Sequence, residues 1–465
     1  MVTYFYSKSD NKTSMNKALK TLTLALLTTL AMPAARAQQG VTPSNALQHY
    51  IHAPDPSFRW EVRDSFTTAG GKGYDLLLTS QKWRQYVWTH QLTVLVPDTN
   101  TFDGALLFIT GGHNTDGLPG WKSPDDKLTV RIADLAARNH AITAIVRDVP
   151  NEPLYDSLTE DALISYTLHR YKGDTTDYTW PLLFPMVTSA VRAMDAVQQF
   201  ASGSLGHPVN KFVVSGASKR GWTTWLTGAN DPRVEAIGPM VIDVLNMPKS
   251  LAYQIEAFGK YSVEINDYVK LGIVQGIQSP SGRALATMID PYSYRKTLTM
   301  PKMLFMGTND PYWVIDNVKN YLPDIPGFNL LHYVPNAGHG LGDGTSAFNA
   351  LSAFFGETLS GGHYPVCSWK AVSGPRGVQV KITATRARLT GAVLWHADSR
   401  DRDFRNDAWT SRKLDISHVS HVSVVEPYPA SGYHAFYVDL IYTDLNGGEY
   451  TVSTRAFMTD TRHIL

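Results

Sequence analysis

From about residue 91 to residue 360 the chain alternates short apolar runs with stretches of helical spacing, and this rhythm restricts the fold more than any other feature. Gln91–Val96, Ala105–Ile109, Ala141–Val146, Lys211–Val214, Met303–Met306 and Leu330–Val334 have strand length and strand composition, and another strand falls within Val234–Val244. Between them, Leu128, Ile132, Leu135 and Ala136 recur at helical intervals within Asp125–Asn139. Ala190, Met194, Val197 and Phe200 do the same ahead of a break at Gly203–Gly206, and Lys219–Gly228 reads as a third helix. Strands joined through helices run parallel, and strands covered on both faces read as unbroken apolar runs. The expected core is therefore a mostly parallel α/β sheet with helices on both faces.

Three segments depart from the rhythm. Residues 38–90 are rich in tryptophan (Trp60, Trp83, Trp88), with a turn expected at Gly70–Gly73. Residues 247–300 carry Tyr253, Phe258, Tyr261, Tyr268, Tyr292 and Tyr294, and read as a helical insertion over the sheet's C-terminal edge, either a lid or plain core. After Gly361-Gly362 the grammar becomes all-β: Val378–Thr383, Ala392–His396, Val422–Val425, His434–Tyr442 and Tyr450–Phe457 alternate apolar and polar residues between polar turns. That spacing indicates a small C-terminal β-sandwich. The expected organisation is a leader over 1–37, a hydrolase-like domain over 38–362 and a sandwich over 363–465.

The leader is read from Lys17 and Lys20, the apolar stretch Thr21–Met32 and Ala35-Arg36-Ala37, which together resemble a secretory signal peptide cleaved after Ala37. The apolar stretch is short for a membrane span. Cleavage would move the net charge from +1 to −3 and leave a periplasmic or secreted protein without a membrane span. With 42 basic and 41 acidic residues and no basic run, nothing points to nucleic acid. The single cysteine, Cys367, excludes an intrachain disulfide and a cysteine-built zinc site. No His-Glu-x-x-His and no phosphate-loop motif occurs, so neither a metal nor another cofactor is expected.

The chemistry concentrates at Phe212-Val213-Val214-Ser215-Gly216-Ala217-Ser218-Lys219-Arg220-Gly221. A strand running into a sharp turn and then a helix, with serine at the turn, is the setting of a nucleophile elbow. The turn lifts the Ser218 hydroxyl out of the sheet and aims the Lys219 N–H and the helix N-terminus at developing negative charge. Gly216 supplies the small residue before the serine. Arg220 stands where a second glycine is usual, and Gly221 follows it. Arg220 is thus a candidate substrate contact, or a structural arginine paired with an acid beneath the helix, while the Lys219 side chain is expected to tolerate replacement.

Acid and base should follow in chain order. Asp310 ends the strand Lys302–Gly307, and His339 lies in a glycine-flanked loop after Leu330–Val334, both on the strand edge that carries Ser218. Asp243 is the competing acid, and His332, mid-strand, reads as structural. The Gly111-Gly112-His113 loop after Ala105–Ile109 is the expected second oxyanion donor, through the Gly112 or His113 N–H.

The run Ser215–Leu226 resembles the PhoPQ-activated pathogenicity-related proteins. So do Leu78-Thr79-Ser80-Gln81-Lys82-Trp83-Arg84, Thr159-Glu160-Asp161-Ala162-Leu163-Ile164, Asp290-Pro291-Tyr292-Ser293-Tyr294 and Arg402-Asp403-Phe404-Arg405. The resemblance implies a divergent α/β-hydrolase fold and export from the bacterial cytoplasm. It implies no substrate, because the family name describes regulation. The elbow is also similar to the G-C-S-R-x-G motif of glucuronoyl esterases, over a few residues and with Ala217 in place of cysteine.

Three functions compete. An exported serine hydrolase would cleave an ester or amide of a small molecule, peptide or carbohydrate through Ser218, Asp310 and His339. A peptidase would act on cationic peptides. A hydrolase-derived binding or signalling protein would use the fold without the chemistry.

Overall fold

The computed structural model describes residues 40–416 and 421–465; the leader expected over 1–37 lies outside the described residues. After helix α1 (Ala46–Ile51), strands β1 (Arg59–Thr68), β2 (Gly71–Trp83) and β3 (Tyr86–Pro97) make an antiparallel meander. Its first turn is Ala69-Gly70, where Gly70 takes φ 97°, a left-handed value that suits a residue without Cβ. Next come β4 (Gly104–Ile109), the small ladder of β5 (Asn114–Thr115) and β6 (Leu118–Pro119), α2 (Lys127–Asn139) and β7 (Thr143–Val146). They are followed by α3 (Glu160–Gly173), α4 (Leu183–Ser204), β8 (Lys211–Ala217), α5 (Lys219–Asn230) and β9 (Val234–Met240). The segment after β9 is helical, with α6 (Met247–Phe258), α7 (Asn266–Lys270) and α8 (Pro280–Ile289). β10 (Lys302–Gly307), β11 (Asn329–Val334) and α9 (Thr345–Leu359) complete the α/β part.

The strand order is β1-β2-β3-β7-β4-β8-β9-β10-β11, parallel from β7 to β11. Successive residues on each central strand enter opposite cores, as the two-residue strand period requires. Leu107, Val214, Ile237, Leu304 and Leu331 join the core that includes α4 and α5, whereas Leu106, Val213, Ala236, Met303 and Leu330 join the one that includes α2 and α9. This is an α/β-hydrolase fold. α4 begins at Leu183, a full two turns before the first residue of the Ala190–Phe200 pattern, because its N-terminal turns are buried all round and carry no polar face.

The C-terminal segment is antiparallel β: β12 (Cys367–Gly374), β13 (Gly377–Ala384), β14 (Leu389–Ser399), β15 (Thr410–Lys413), β16 (His421–Pro427), β17 (Tyr433–Thr443), β18 (Glu449–Ser453) and β19 (Phe457–Thr459). The expected strand Tyr450–Phe457 is two strands, interrupted by Thr454-Arg455-Ala456. β12, β13 and β16 make a three-stranded sheet whose Val378, Val380 and Ile382 share a core with Phe436, Val438 and Leu440 of β17. The opposing layer, β18-β17-β14-β15, continues the hydrolase sheet through the pair Leu331↔Ser453. Residues Val41–Leu465 form one compact unit.

Candidate active site

Ser218 follows β8 directly and opens α5, with φ 58° and ψ −127°. Such a backbone costs a non-glycine residue about 1–3 kcal/mol and persists only where its surroundings enforce it. Three contacts enforce it here. The Ser218 N–H donates to Met240 O (2.9 Å). A Cβ on Gly216 would lie 2.9 Å from Ile109 O, and one on Gly221 would lie 2.7 Å from Met240 O. Gly221 thus makes a close backbone approach at the helix start, while the Arg220 side chain is turned toward Glu160.

β10 and β11 run in parallel with Gly307 opposite Val334, so the loops bearing Asp310 and His339 leave the sheet side by side. His339 Nδ1 donates to Asp310 Oδ2 across 2.8 Å, and Asp310 Oδ1 accepts from the Tyr312 N–H at 2.9 Å. The Tyr312 ring lies against the imidazole, with centroids 4.2 Å apart. His339 Nε2 is buried and makes no hydrogen bond, to Ser218 or to any other protein group. Tyr312 and Ser218 line the same cavity.

Asp243 is placed elsewhere. Its backbone carbonyl and carboxylate face Asn317 Nδ2, and burial pushes its carboxyl up to about 7. His332 is fully buried, contacts Thr451 and Ser346, and is pushed down to about 4 by burial, as a structural histidine should be.

The register Ile109↔Gly216 sets the Gly111-Gly112 loop beside the elbow. Its glycines are there for close approach: a Cβ on Gly111 would fall 2.4 Å from an Arg220 nitrogen, and one on Gly112 2.0 Å from Asp148 Oδ1. Burial pushes the Asp148 carboxyl up to about 6 against the pull of the Gln91 and His113 backbone N–H groups. Among the described residues neither Asp148 oxygen makes a hydrogen bond, and the Gly112 and His113 N–H groups lie on the same loop beside the elbow. The Lys219 N–H, at the first helical position, has no partner within the helix.

The Lys219 side chain corrects the sequence reading, and that of Arg220 takes the second of its two readings. Lys219 is buried, and its ammonium lies 2.6 Å from Glu160 Oε2 and 3.4 Å from Asp161 Oδ2, so replacement would take a cation from two carboxylates. Arg220 is also buried. Its Nε donates to Val149 O and its two terminal nitrogens to Glu160, each at 2.9 Å. All three nitrogens are committed, so the candidate substrate contact is instead a brace under the Gly-Gly loop. Burial raises the Glu160 carboxyl, but the hydrogen bonds and charges of Arg220 and Lys219 win and hold it far below its ordinary range. The neighbouring Glu152 is raised, by burial and by Glu160.

A family model for PhoPQ-activated pathogenicity-related proteins matches residues 47–405. The chain belongs to that family. A curated relative, the autocrine proliferation repressor protein A of Dictyostelium discoideum, is 34% identical over 319 residues. The match covers 64% of this chain and 62% of that relative. Among solved structures, acetyl xylan esterase 1 from Thermoanaerobacterium has a TM-score of 0.43 at 17% identity, covering 66% of this chain and 92% of that one. An S-formylglutathione hydrolase from Agrobacterium tumefaciens has a TM-score of 0.43 at 11% identity, covering 64% and 99%.

In this family member the sequence reading missed Tyr312 against the histidine and Asp148 beneath the glycine loop. It quoted Glu160 and Asp161 only as part of the family motif. Charge was the available signal: Lys219 and Arg220 sit at a buried helix start, where each cation needs an acid.

Proposed function

We propose that this protein is an exported serine hydrolase that cleaves an ester by acyl transfer. One observation carries the reading: a backbone-strained serine at a strand-to-helix turn shares a sheet edge with a hydrogen-bonded Asp310–His339 pair. His339 Nε2 takes the Ser218 proton as Oγ bonds to the ester carbon, and Asp310 holds the Nδ1–H tautomer and balances the imidazolium. The carbonyl oxygen becomes an oxyanion facing the Lys219 N–H and that of Gly112 or His113. Its collapse breaks the ester C–O bond, and the leaving alkoxide takes the proton from His339. Water then repeats the sequence on the acyl-serine, releasing the acid. The unpaired Nε2 fits this role, since catalytic hydrogen bonds are often long in a free enzyme.

Export is supported by the leader-like sequence over 1–37. Among the described residues no helix is long and apolar enough to cross a membrane. Labelling with a fluorophosphonate and mapping the adduct tests the nucleophile, and labelling at Ser218 is expected. Parallel assays on p-nitrophenyl esters and on peptide substrates separate esterase from peptidase. The name of the Dictyostelium relative favours a second reading, a secreted signalling protein on a hydrolase fold, for which folded protein would resist the label.

A further inference from the structure

The cavity beside Ser218 is roofed by the helical segment after β9 and has about 70 Å³ of free space. Its wall is mostly apolar and includes Trp222, Ile242, Leu251, Val274, Ile277 and Leu285. Trp222 comes from the helix that Ser218 opens, one turn on, while Leu251 and Leu285 come from α6 and α8.

The few polar side chains in the wall are engaged with one another. Asp161 receives the Tyr268 hydroxyl at 2.9 Å, the Tyr312 hydroxyl at 3.4 Å and the Lys219 ammonium at 3.4 Å. Trp222 Nε1 donates to Ile289 O (2.6 Å) and Trp313 Nε1 to Val241 O (3.3 Å). A sugar ring or a charged peptide entering this space would lose its water and find these groups already paired, which is costly. An alkyl group would lose nothing and gain burial.

Resting on the serine-hydrolase reading, we infer that this cavity takes a short apolar acyl group, larger than acetyl, which stays beside Ser218 while bonded to its oxygen. The free space matches roughly two or three water-sized groups, so propionyl and butyryl chains fit and longer ones require the roof to move. The carbonyl remains at the mouth, by the Lys219 N–H, and the alcohol leaves on the His339 side.

The test is kcat/KM for p-nitrophenyl acetate, propionate, butyrate, hexanoate and octanoate, run beside fluorophosphonate labelling of the same full-length protein. Each methylene from acetate to butyrate should raise kcat/KM about fourfold if fully buried, with the gain ending near butyrate. Val274→Phe, which fills the cavity, should lower the butyrate-to-acetate ratio at least tenfold; if that variant does not fold, the wild-type series alone decides. Labelling at Ser218 with acetate as the best substrate, or with no chain-length trend, overturns the acyl pocket and leaves the hydrolase reading standing. No labelling and no hydrolysis of any ester overturns both.

Discussion

His339 Nδ1 donates to Asp310 Oδ2 across 2.8 Å, tying together the loops that leave two neighbouring parallel strands. Because Asp310 is buried and also holds the Tyr312 N–H, its carboxylate is fixed in place before it orients the imidazole. Asp310→Asn should lower kcat by about 10⁴-fold through loss of the reactive tautomer. Asp243→Asn should cost less than tenfold, since Asp243 faces Asn317 instead. Steady-state kinetics of the two variants on one ester distinguishes the acids.

Arg220→Gln is expected to act on stability. It leaves Glu160 with Lys219 as its nearest cation and takes the guanidinium from beside the deeply buried Glu152, a loss of about 1.5–3 kcal/mol. Thermal melting should fall by several degrees, with kcat of the folded fraction changed by less than about tenfold. A thousandfold loss of kcat at an unchanged Tm would make Arg220 part of the chemistry.

Gly221→Ala probes the elbow from beneath. The new methyl group would meet Met240 O at 2.7 Å and Gly216 O at 2.9 Å, both backbone atoms that cannot swing away. The cost should be about 1–3 kcal/mol from overpacking. Fluorophosphonate labelling should slow as Ser218 leaves its strained conformation, and the rate measured well below Tm checks this.

Asn309 links the C-terminal β segment to the site. Its Nδ2 donates to the carbonyls of Phe404, Arg405 and Asp407, the last at 2.8 Å, while Asn336, near His339, exchanges hydrogen bonds with Trp409. One loop, 404–409, therefore holds both the acid loop and the histidine loop. Asn309→Ala should lower kcat about tenfold with KM little changed, because it loosens Asp310 and does not touch the cavity. A change confined to KM would contradict this.

Three buried carboxyls contribute a loss of stability as pH rises from about 4 to about 7, opposed by the buried neutral His90 and His332, which favour the folded state as pH rises through about 4 to 6.5. Burial pushes the carboxyls of Asp243, Asp290 and Asp439 up to about 7, so the folded chain retains protons that the unfolded chain releases near its ordinary carboxylate range. A state that binds more protons loses ground as protons become scarce, and the loss ends once the folded groups have also ionised. Asp439→Asn, which keeps an oxygen to accept from Ser453 Oγ, should shrink the drop in urea midpoint between pH 5 and pH 8.

The order of elements and the positions of Ser218, Asp310 and His339 in it were legible in the sequence, because strand burial and the elbow turn are local demands with a short signature. Apolar runs report which residues lie in a two-sided sheet, and a glycine two before a serine reports a tight turn. Contacts between distant segments carry no such signature. That Lys219 and Arg220 meet Glu160, that Asp148 stands against Gly112 and that Tyr312 covers the histidine depend on how loops after β4, β7 and β10 converge on one edge. The same holds for the C-terminal strands. Their alternation marks them as antiparallel β, but only pairing along β11 decides that one layer extends the hydrolase sheet, because the backbone groups of an edge strand accept any strand whose shape and neighbours allow it. The sequence by itself determined the scaffold and the order of the candidate residues along it; the tertiary structure alone decided which charges are spent on bracing and where a cavity opens beside Ser218.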